Sequence, residues 1–381
     1  MGSRISTPHS RPPLTYDAVG VNSASEEHAL QQLGTWINRT FSFNRAKPLL
    51  PLGYFANVLK LSADMGLAIS TDGVGTKLLV AQAMRRYDTV GIDCIAMNVN
   101  DVLCVGATPV SMVDYIAVST MDAGVLGEIA KGLHDGAQLA AITIPGGEIA
   151  QIRELLHHTS GQDFSFDLVG TCVGTVHPER LVIGQQINPG DLVIGFASSG
   201  IHSNGFTLAR RALGLDENPS KYLQGMDGLD HTIGEELLTP TSIYVPEVKA
   251  ILDAEVAVKA LIHITSDGLL NLLRVASETG YVIDNPLPPQ PIFSLIQQHG
   301  NVDIAEMFRV FNMGMGFCAV CAANDAPRVE QIAKQYGRRA GIIGYAVHDP
   351  QRRVWIPSHG LVGANGVFSS TYEKPPPYPD S

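Results

Sequence analysis

Cysteine, long apolar runs and positive charge are all scarce in this sequence, and each scarcity excludes a class of protein. The 381 residues include five cysteines, and an odd number spread over a long chain does not fit a disulfide framework. No apolar run approaches the roughly 20 residues that a membrane-spanning helix needs. The start of the chain lacks the apolar core of a secretory signal. We therefore expect a cytoplasmic protein without a membrane partner.

Basic residues are also in the minority, with 26 Lys and Arg against 37 Asp and Glu, for a formal net charge of -11. Nucleic-acid binding needs a concentrated basic surface, so we expect no nucleic-acid partner. A composition that is 45% hydrophobic and 17% charged is typical of a globular protein. Phosphorylated ligands remain compatible with this acidity where metal ions or helix N-termini supply positive potential.

Helix and strand patterns alternate along the chain, which predicts an α/β (α+β) fold whose sheets are covered by helices. Examples are a helix over Thr89–Val105, strands over Ala141–Ile144 and Phe166–Val176, and a helix over Leu269–Glu278. The length allows two domains. We predict a mobile segment 1–16, an N-terminal domain 17–182, a C-terminal domain 183–350, and an extension with a tail at 351–381.

The first polar cluster, STDGVGTK at Ser70–Lys77, lies between a predicted strand and a predicted helix. Gly73 and Gly75 permit close backbone approach, and the helix offers unpaired N–H groups to a phosphate. Asp72 suits a metal ion, and the lysine suits phosphate charge. The segment is not a Walker A loop. A plain strand-to-helix turn with a surface lysine stays open as the alternative.

The next helix, GIDCIAMNVNDVLCVG, is mostly apolar and yet carries Asp93, Asn98, Asn100 and Asp101. Buried carboxylates are costly unless they are paired or coordinate a cation. Mg²⁺ prefers one or two carboxylates together with phosphate oxygens and water, which this helix would supply. The alternative is that Asp93 caps a turn and Asn98 satisfies a backbone group.

Three further loops carry candidate chemistry. PGGE places Glu148 on a glycine turn after an apolar strand, which suits a metal ion or a ribose, although a plain turn is the stronger interpretation of this segment alone. ASSGIHSNG at Ala197–Gly205 resembles an anion site at a helix N-terminus, in which His202 donates to phosphate or exchanges a proton. A capping loop with a hydrogen-bonded histidine is the alternative. HITSDG adds His263 as a candidate acid or base.

Together with YDAVGVN, FDLVGTCVG, LLTPTSIYV and EMFRVFNMGMG, these segments follow one order from about Tyr16 to about Gly344. In that order the chain resembles the phosphoribosylformylglycinamidine cyclo-ligase family, also called aminoimidazole ribonucleotide synthetases. The resemblance implies a two-domain subunit that forms a homodimer. Its N-terminal α/β domains would share a barrel with ATP near the interface, and its C-terminal α+β domain would hold a mixed sheet.

The resemblance also implies a reaction, in which ATP phosphorylates the formyl amide oxygen of formylglycinamidine ribonucleotide and a nitrogen then closes the ring. ATP and Mg²⁺ are the implied cofactors, and a small phosphorylated ribonucleotide is the implied partner. Catalytic roles fall to His263, His202 and Asp72. Nucleotide contacts are implied for Thr71, Asp72, Gly73, Gly75, Thr76, Lys77, Asn100, Asp101 and Glu148. Mg²⁺ would be held by Asp72, Asp93, Asp101 and Glu148, and the substrate by Ser199, Gly200, His202, Ser203 and Asn204.

The sequence departs from the family pattern at several points. Ser242 stands where arginine is expected and Asp267 where glycine is expected. Segment 52–59 differs from its usual glycine-rich form, and segment 146–154 reads GGEIAQIRE in place of GGETAEMPG. The carboxylates and histidines are retained, so we expect activity. Two alternatives are an ATP-using member of the same superfamily with another small phosphorylated substrate, and a non-catalytic nucleotide-binding regulator.

Overall fold

A computed structural model describes residues 13–21, 23–156, 164–370 and 373–379. The described residues form a five-stranded sheet and an eight-stranded sheet, both of mixed strand direction. The predicted α+β class is therefore confirmed. Residues 1–12 of the predicted mobile segment lie outside the described residues. Tyr16 belongs to the same segment, and its backbone N–H donates to Oε1 of Glu306 at 2.6 Å.

The first sheet has the strand order β1-β2-β5-β3-β4. Its strands are β1 (Asn57–Lys60), β2 (Gly66–Gly73), β3 (Thr108–Val118), β4 (Gly147–Gln151) and β5 (Phe166–Val176). The helices of this half are α1 (Ser23–Ile37), α2 (Leu78–Met84), α3 (Val90–Leu103) and α4 (Ala123–Ala140). The second strand, β2, pairs antiparallel with β5, and β5 pairs antiparallel with β3.

Helix α3 lies between this sheet and α4, and it is buried along most of its length. Val90, Ile95 and Val99 have no exposed surface. The two helices approach closely at Gly91 and Gly132, since a Cβ atom on either glycine would collide with the backbone beside the other. Burial of its apolar surface places this helix in the core. Its few polar residues are therefore brought into the interior with it.

The second sheet has the order β13-β12-β11-β8-β10-β6-β9-β7. Its strands are β6 (Leu192–Ala197), β7 (Val258–His263), β8 (Thr279–Val282), β9 (Met315–Cys321), β10 (Ala340–His348), β11 (Val354–Ile356), β12 (Leu361–Ala364) and β13 (Val367–Ser370). The helices of this half are α5 (Phe206–Leu213), α6 (Ile233–Leu237), α7 (Val245–Asp253), α8 (Pro291–Gly300), α9 (Ile304–Val310) and α10 (Ala326–Gln335).

Two predicted elements were wrong. The strand expected over Ala141–Ile144 is absent, because Ala141 ends α4 in a left-handed conformation, and only Thr143 forms an isolated bridge. The ordered strand comes later, as β4. The helix expected over Leu269–Glu278 is a 3-10 helix at Gly268–Arg274 that runs into extended chain. Arg352 donates there to backbone carbonyls that a continuing helix would need.

In the part of the chain that the structure describes, no helix combines the length and the hydropathy that crossing a bilayer requires.

Candidate active site

Two carboxylates, those of Asp72 and Asp101, lie together where the first sheet meets the second half of the chain. Asp72 lies near the end of β2, and Asp101 lies in the last turn of α3. Burial raises the pKa of Asp72 to about 6, and the charge of Asp101 adds to the effect, because the ionised form loses hydration and meets a like charge. A pair of half-buried carboxylates with this repulsion is a suitable place for a cation.

Asn98 holds the backbone of Asp72 from the neighbouring helix. Its Oδ1 accepts from the Asp72 N–H at 3.0 Å, and its Nδ2 donates to the Asp72 carbonyl at 3.1 Å. Gly170 faces Asp72 on β5 and leaves room for this amide, since a Cβ there would lie 2.8 Å from Nδ2 of Asn98. The alternative interpretation, that Asn98 satisfies a backbone group, is confirmed.

His263, at the end of β7, contacts Asp101 instead of an open surface. Its Nδ1 lies 2.9 Å from Oδ1 of Asp101, its Nε2 lies 3.5 Å from Nδ2 of Asn100, and its side chain has no exposed surface. An amide that donates to Nε2 assigns the proton to Nδ1, which then donates to the carboxylate. The arrangement suits a residue that orients Asp101, and it gives the ring no open face for the predicted acid–base role.

Lys77 and Asp93 form a fully buried ion pair of 2.9 Å. Oδ1 of Asp93 also accepts from Thr241 and Ser203. Lys77 further donates to the backbone carbonyls of His202 and Thr239. Both side chains are therefore used to connect the two halves of the chain. This excludes the alternative of a surface lysine, and it does not favour Asp93 as a metal ligand or Lys77 as a phosphate contact.

Glu148 lies away from the carboxylate pair. It is the second residue of the edge strand β4, opposite Tyr115, and this register puts its side chain on the sheet face that Asp72 does not use. Two strands separate β2 from β4, a distance of about 14 Å at roughly 4.8 Å per strand. The expectation that Asp72, Asp93, Asp101 and Glu148 converge on one cation is not met within a single chain. Among the described residues, no group of three or more metal-binding side chains is preformed.

The loop after β6 carries His202 in a left-handed backbone conformation, with φ 61°. The backbone N–H of Ser199 donates to its Nε2 at 3.2 Å, while its Nδ1 has no hydrogen-bond partner among the described residues. Burial, and then the cationic groups nearby, hold the pKa of His202 well below its usual 6.5. The ring is therefore neutral, and Nδ1 carries the proton.

The other predicted contact residues fall into three groups: one at the junction between the two halves, several in the loop after β6, and one on the outer face of the first sheet. Thr76 meets Thr207 at 3.1 Å across it. The residues of the loop after β6 make hydrogen bonds within the second half. The Ser199 hydroxyl donates to the Pro240 carbonyl, and the Gly200 carbonyl accepts from the Asn312 amide. The Ser203 and Thr241 hydroxyls share a hydrogen bond, and the Asn204 amide oxygen accepts from the Ser266 hydroxyl. Thr71 points to the exposed face of the first sheet and meets Thr171. Gly75 has φ 72°, whereas Gly73 needs no such conformation.

The two departures in the second half have local explanations. Asp267 adopts φ 72°, a left-handed conformation that glycine takes freely and aspartate tolerates. Its carboxylate lies 3.5 Å from Arg274. Ser242, at the expected arginine, accepts from a different arginine, Arg338, at 3.0 Å. Sequence reasoning missed Arg338, because it lies in no motif and only the folded chain brings it to this loop.

The comparisons with known proteins agree with this arrangement. Residues 53–176 match the family described as AIR synthase related protein, N-terminal domain, and residues 188–356 match its C-terminal domain. The chain belongs to the AIR synthase related family. The matched ranges contain the carboxylate pair, both histidines and the loop after β6, so the family resemblance read from the motifs is confirmed.

Two curated members of the family are similar over most of their length. The phosphoribosylformylglycinamidine cyclo-ligase of Methanothermobacter thermautotrophicus is 44% identical over 331 residues, which are 87% of this chain and 94% of the relative. That of Thermococcus kodakarensis is 44% identical over 349 residues, 90% of this chain and 98% of the relative.

Solved structures show that the fold is shared more widely. A HypE-HypF complex matches with a TM-score of 0.58 at 18% identity, over 84% of this chain and 95% of that one. A thiamine-monophosphate kinase from Stenotrophomonas maltophilia matches with a TM-score of 0.57 at 19% identity, over 84% of this chain and 93% of that one. T. maritima PurL complexed with ATP matches with a TM-score of 0.50 at 15% identity, over 79% of this chain and 43% of that one. At these identities the likeness concerns the fold alone.

Proposed function

We propose that this protein is the ATP-dependent cyclo-ligase that converts formylglycinamidine ribonucleotide to aminoimidazole ribonucleotide, ADP and phosphate in purine biosynthesis. The observation that carries the proposal is the identity of 41–44%, over 84–91% of the chain, to relatives that bear the cyclo-ligase name. The carboxylate pair and the buried, neutral His202 agree with it. No comparable observation favours another small phosphorylated substrate or a regulatory role.

The reaction replaces a poor leaving group with a good one. An amide oxygen leaves with difficulty, whereas the same oxygen leaves readily as phosphate once ATP has transferred its γ-phosphoryl group to it. The ring nitrogen then bonds to that carbon as the C–O bond breaks. The protein's task is to hold ATP and the amide oxygen in line and to keep water away, which is how positioning lowers such barriers.

Asp72 and Asp101 fit Mg²⁺. Both are hard oxygen donors, and Mg²⁺ prefers one or two carboxylates with phosphate oxygens and water. The raised pKa of Asp72 has burial and then the Asp101 charge as its causes, and a bound cation would offset both. When bound, Mg²⁺ would neutralise charge on the transferred phosphoryl group. Asn98 and His263 would keep the two carboxylates in place, and ATP use is consistent with the PurL complex of the same fold.

On the substrate side, His202 offers one atom for recognition. Its Nε2 accepts from a backbone N–H, and its buried Nδ1–H is a donor without a partner among the described residues. A neutral imidazole that donates there would hold an oxygen of the substrate without adding a positive charge. Asn204 and Ser266, which are hydrogen-bonded to one another at the rim of the junction, are partly exposed and would contact the ribonucleotide.

A homodimer and a cytoplasmic location complete the proposal. The outer face of the first sheet exposes Val110, Val113 and Tyr115, each by 40% or more, and apolar patches of this kind mark interaction surfaces. A second copy on this face would form the shared barrel. It would also bring Glu148, which lies on the same face, toward the partner. The five cysteines are free thiols, in keeping with a reducing compartment.

The decisive experiment is an assay of ADP release by the purified protein with and without formylglycinamidine ribonucleotide, with the imidazole product measured in parallel. We expect release only when the ribonucleotide is present, in equal amount to the product. ADP release driven by a different small phosphorylated compound would point to another substrate. Tight ATP binding without any release would establish the regulator instead. Asp101→Asn is the inactive control, and Asp227→Asn, at an exposed position, is the matched active one.

A further inference from the structure

The side chain of Arg338, between α10 and β10, donates three hydrogen bonds to one short segment of the chain. Its Nε donates to Oε1 of Glu247 at 2.7 Å, its Nη1 to Oγ of Ser242 at 3.0 Å, and its Nη2 to the carbonyl of Ile243 at 3.2 Å. Its guanidinium carbon lies 4.8 Å from the ring centre of Tyr244. A planar group with several donors is needed for these contacts, and lysine cannot reproduce them.

The segment that Arg338 holds, residues 242–244, reaches both histidines of the site. The backbone N–H of Ser242 points to Nε2 of His202 at 3.5 Å. Asn100 donates to the Ser242 carbonyl at 2.9 Å and accepts from the Tyr244 N–H at 3.0 Å. The same Asn100 amide lies 3.5 Å from Nε2 of His263. A shift of this segment would therefore disturb both rings.

The tautomer of His202 depends on the same contacts. Two backbone N–H groups, those of Ser199 and Ser242, point to its Nε2. An acceptor at Nε2 leaves the proton on Nδ1, and loss of one of these donors removes part of the preference. The space beside the ring is also restricted, since a Cβ on Gly316 would collide with both His202 and the Tyr244 hydroxyl.

We propose that Arg338 is a positioning residue: it holds residues 242–244 so that His202 keeps its Nδ1–H tautomer and Asn100 keeps its place beside His263. The catalytic consequence rests on the proposed function, whereas the structural consequence does not. Each of the three nitrogen atoms of the Arg338 guanidinium donates one hydrogen bond within the protein, to Glu247, Ser242 and Ile243. It acts through the segment.

The test compares Arg338→Lys and Arg338→Gln with Arg339→Lys, a matched control at the adjacent, exposed arginine. Proton–nitrogen correlation spectra of histidine-labelled protein report the tautomer, and the His202 signal is identified by its loss in His202→Gln. We expect one Nδ1–H tautomer in the wild type and in Arg339→Lys, and a mixture in both Arg338 variants. In the cyclo-ligase assay kcat should fall by about 10- to 100-fold with an unchanged KM for ATP.

A folded Arg338→Lys that keeps a single Nδ1–H tautomer would overturn the proposal, as would the same spectral change in Arg339→Lys. Thermal unfolding of each variant identifies those that fold. If Arg338→Gln does not fold, Ser242→Ala takes its place, because it removes one acceptor of the guanidinium and leaves the Glu247 pair intact. A protein with no cyclo-ligase activity would refute the proposed function, while the tautomer measurement would still decide the role of Arg338.

Discussion

The Nδ1 atom of His263 lies 2.9 Å from Oδ1 of Asp101, although 162 positions separate the two residues in the chain. One residue ends a strand of the second sheet, and the other lies on the buried helix of the first half. A histidine that donates to a metal-binding carboxylate fixes its orientation. The contact therefore ties the proposed cation site to the relative position of the two halves.

This contact predicts the phenotype of His263→Asn. We expect about 10-fold weaker binding of ATP in the presence of Mg²⁺, because the Asp101 carboxylate loses its orienting partner. Titration calorimetry with a non-hydrolysable ATP analogue measures the affinity. Asp101→Asn, which lacks the carboxylate itself, gives the weakest affinity expected and serves as the reference. Loss of turnover with unchanged nucleotide affinity would contradict this role and make His263 a direct acid or base.

Asp72→Asn should stabilise the metal-free protein at neutral pH while removing activity. Folding raises the pKa of Asp72 from 3.8 to about 6, so the folded state binds this proton more tightly than the unfolded state. The unfolding free energy of the wild type therefore decreases as pH rises from about 4 to about 6, by at most about 3 kcal/mol. Below pH 4 the wild type and the variant should be equally stable.

Urea unfolding from pH 3 to pH 8 with a chelator measures this difference, and the exposed Asp227→Asn serves as control. Mg²⁺ should then stabilise the wild type more than Asp72→Asn. Equal stability of the two proteins at pH 8 would show that Asp72 is not destabilised by burial and by Asp101.

Lys77→Met should destabilise the protein by about 3–5 kcal/mol, because it leaves the carboxylate of Asp93 buried without its cation. The double variant with Asp93→Leu should recover part of this loss. Lys249→Met, which removes an exposed pair with Asp253, is the matched control and should cost less than about 1 kcal/mol. Urea unfolding measures all three. A loss for Lys77→Met as small as that of the control would place the pair in contact with water.

The position of Glu148 predicts complementation between subunits. If Glu148 completes the partner's site, a mixed dimer of Asp72→Asn and Glu148→Gln contains one intact site, and an equal mixture should regain about a quarter of wild-type activity. Each variant alone should be inactive. The assay follows unfolding and refolding of the two proteins together. An inactive mixture that forms mixed dimers would show that Glu148 serves its own chain or no site.

The sequence by itself determined the class of fold, the order of the polar clusters and the family. Alternating patterns predict helices and strands because burial imposes their periods locally, as in the helix that became α3. It also identified Asp72, in a polar segment between a strand and a helix, and Asp101, since a carboxylate in an apolar helix needs a partner wherever the chain goes.

Only the tertiary structure decided which of those partners is used. Asp93 and Lys77 looked like ligand contacts and proved to be an internal ion pair, because a segment near Thr241 closes over them. Glu148 lies on the other face of the sheet from Asp72, since strand order and register determine the face on which a side chain emerges. Arg338 could not be identified from the sequence, because it lies in no motif. These outcomes depend on contacts between residues that are distant in the chain, and no local pattern encodes such contacts.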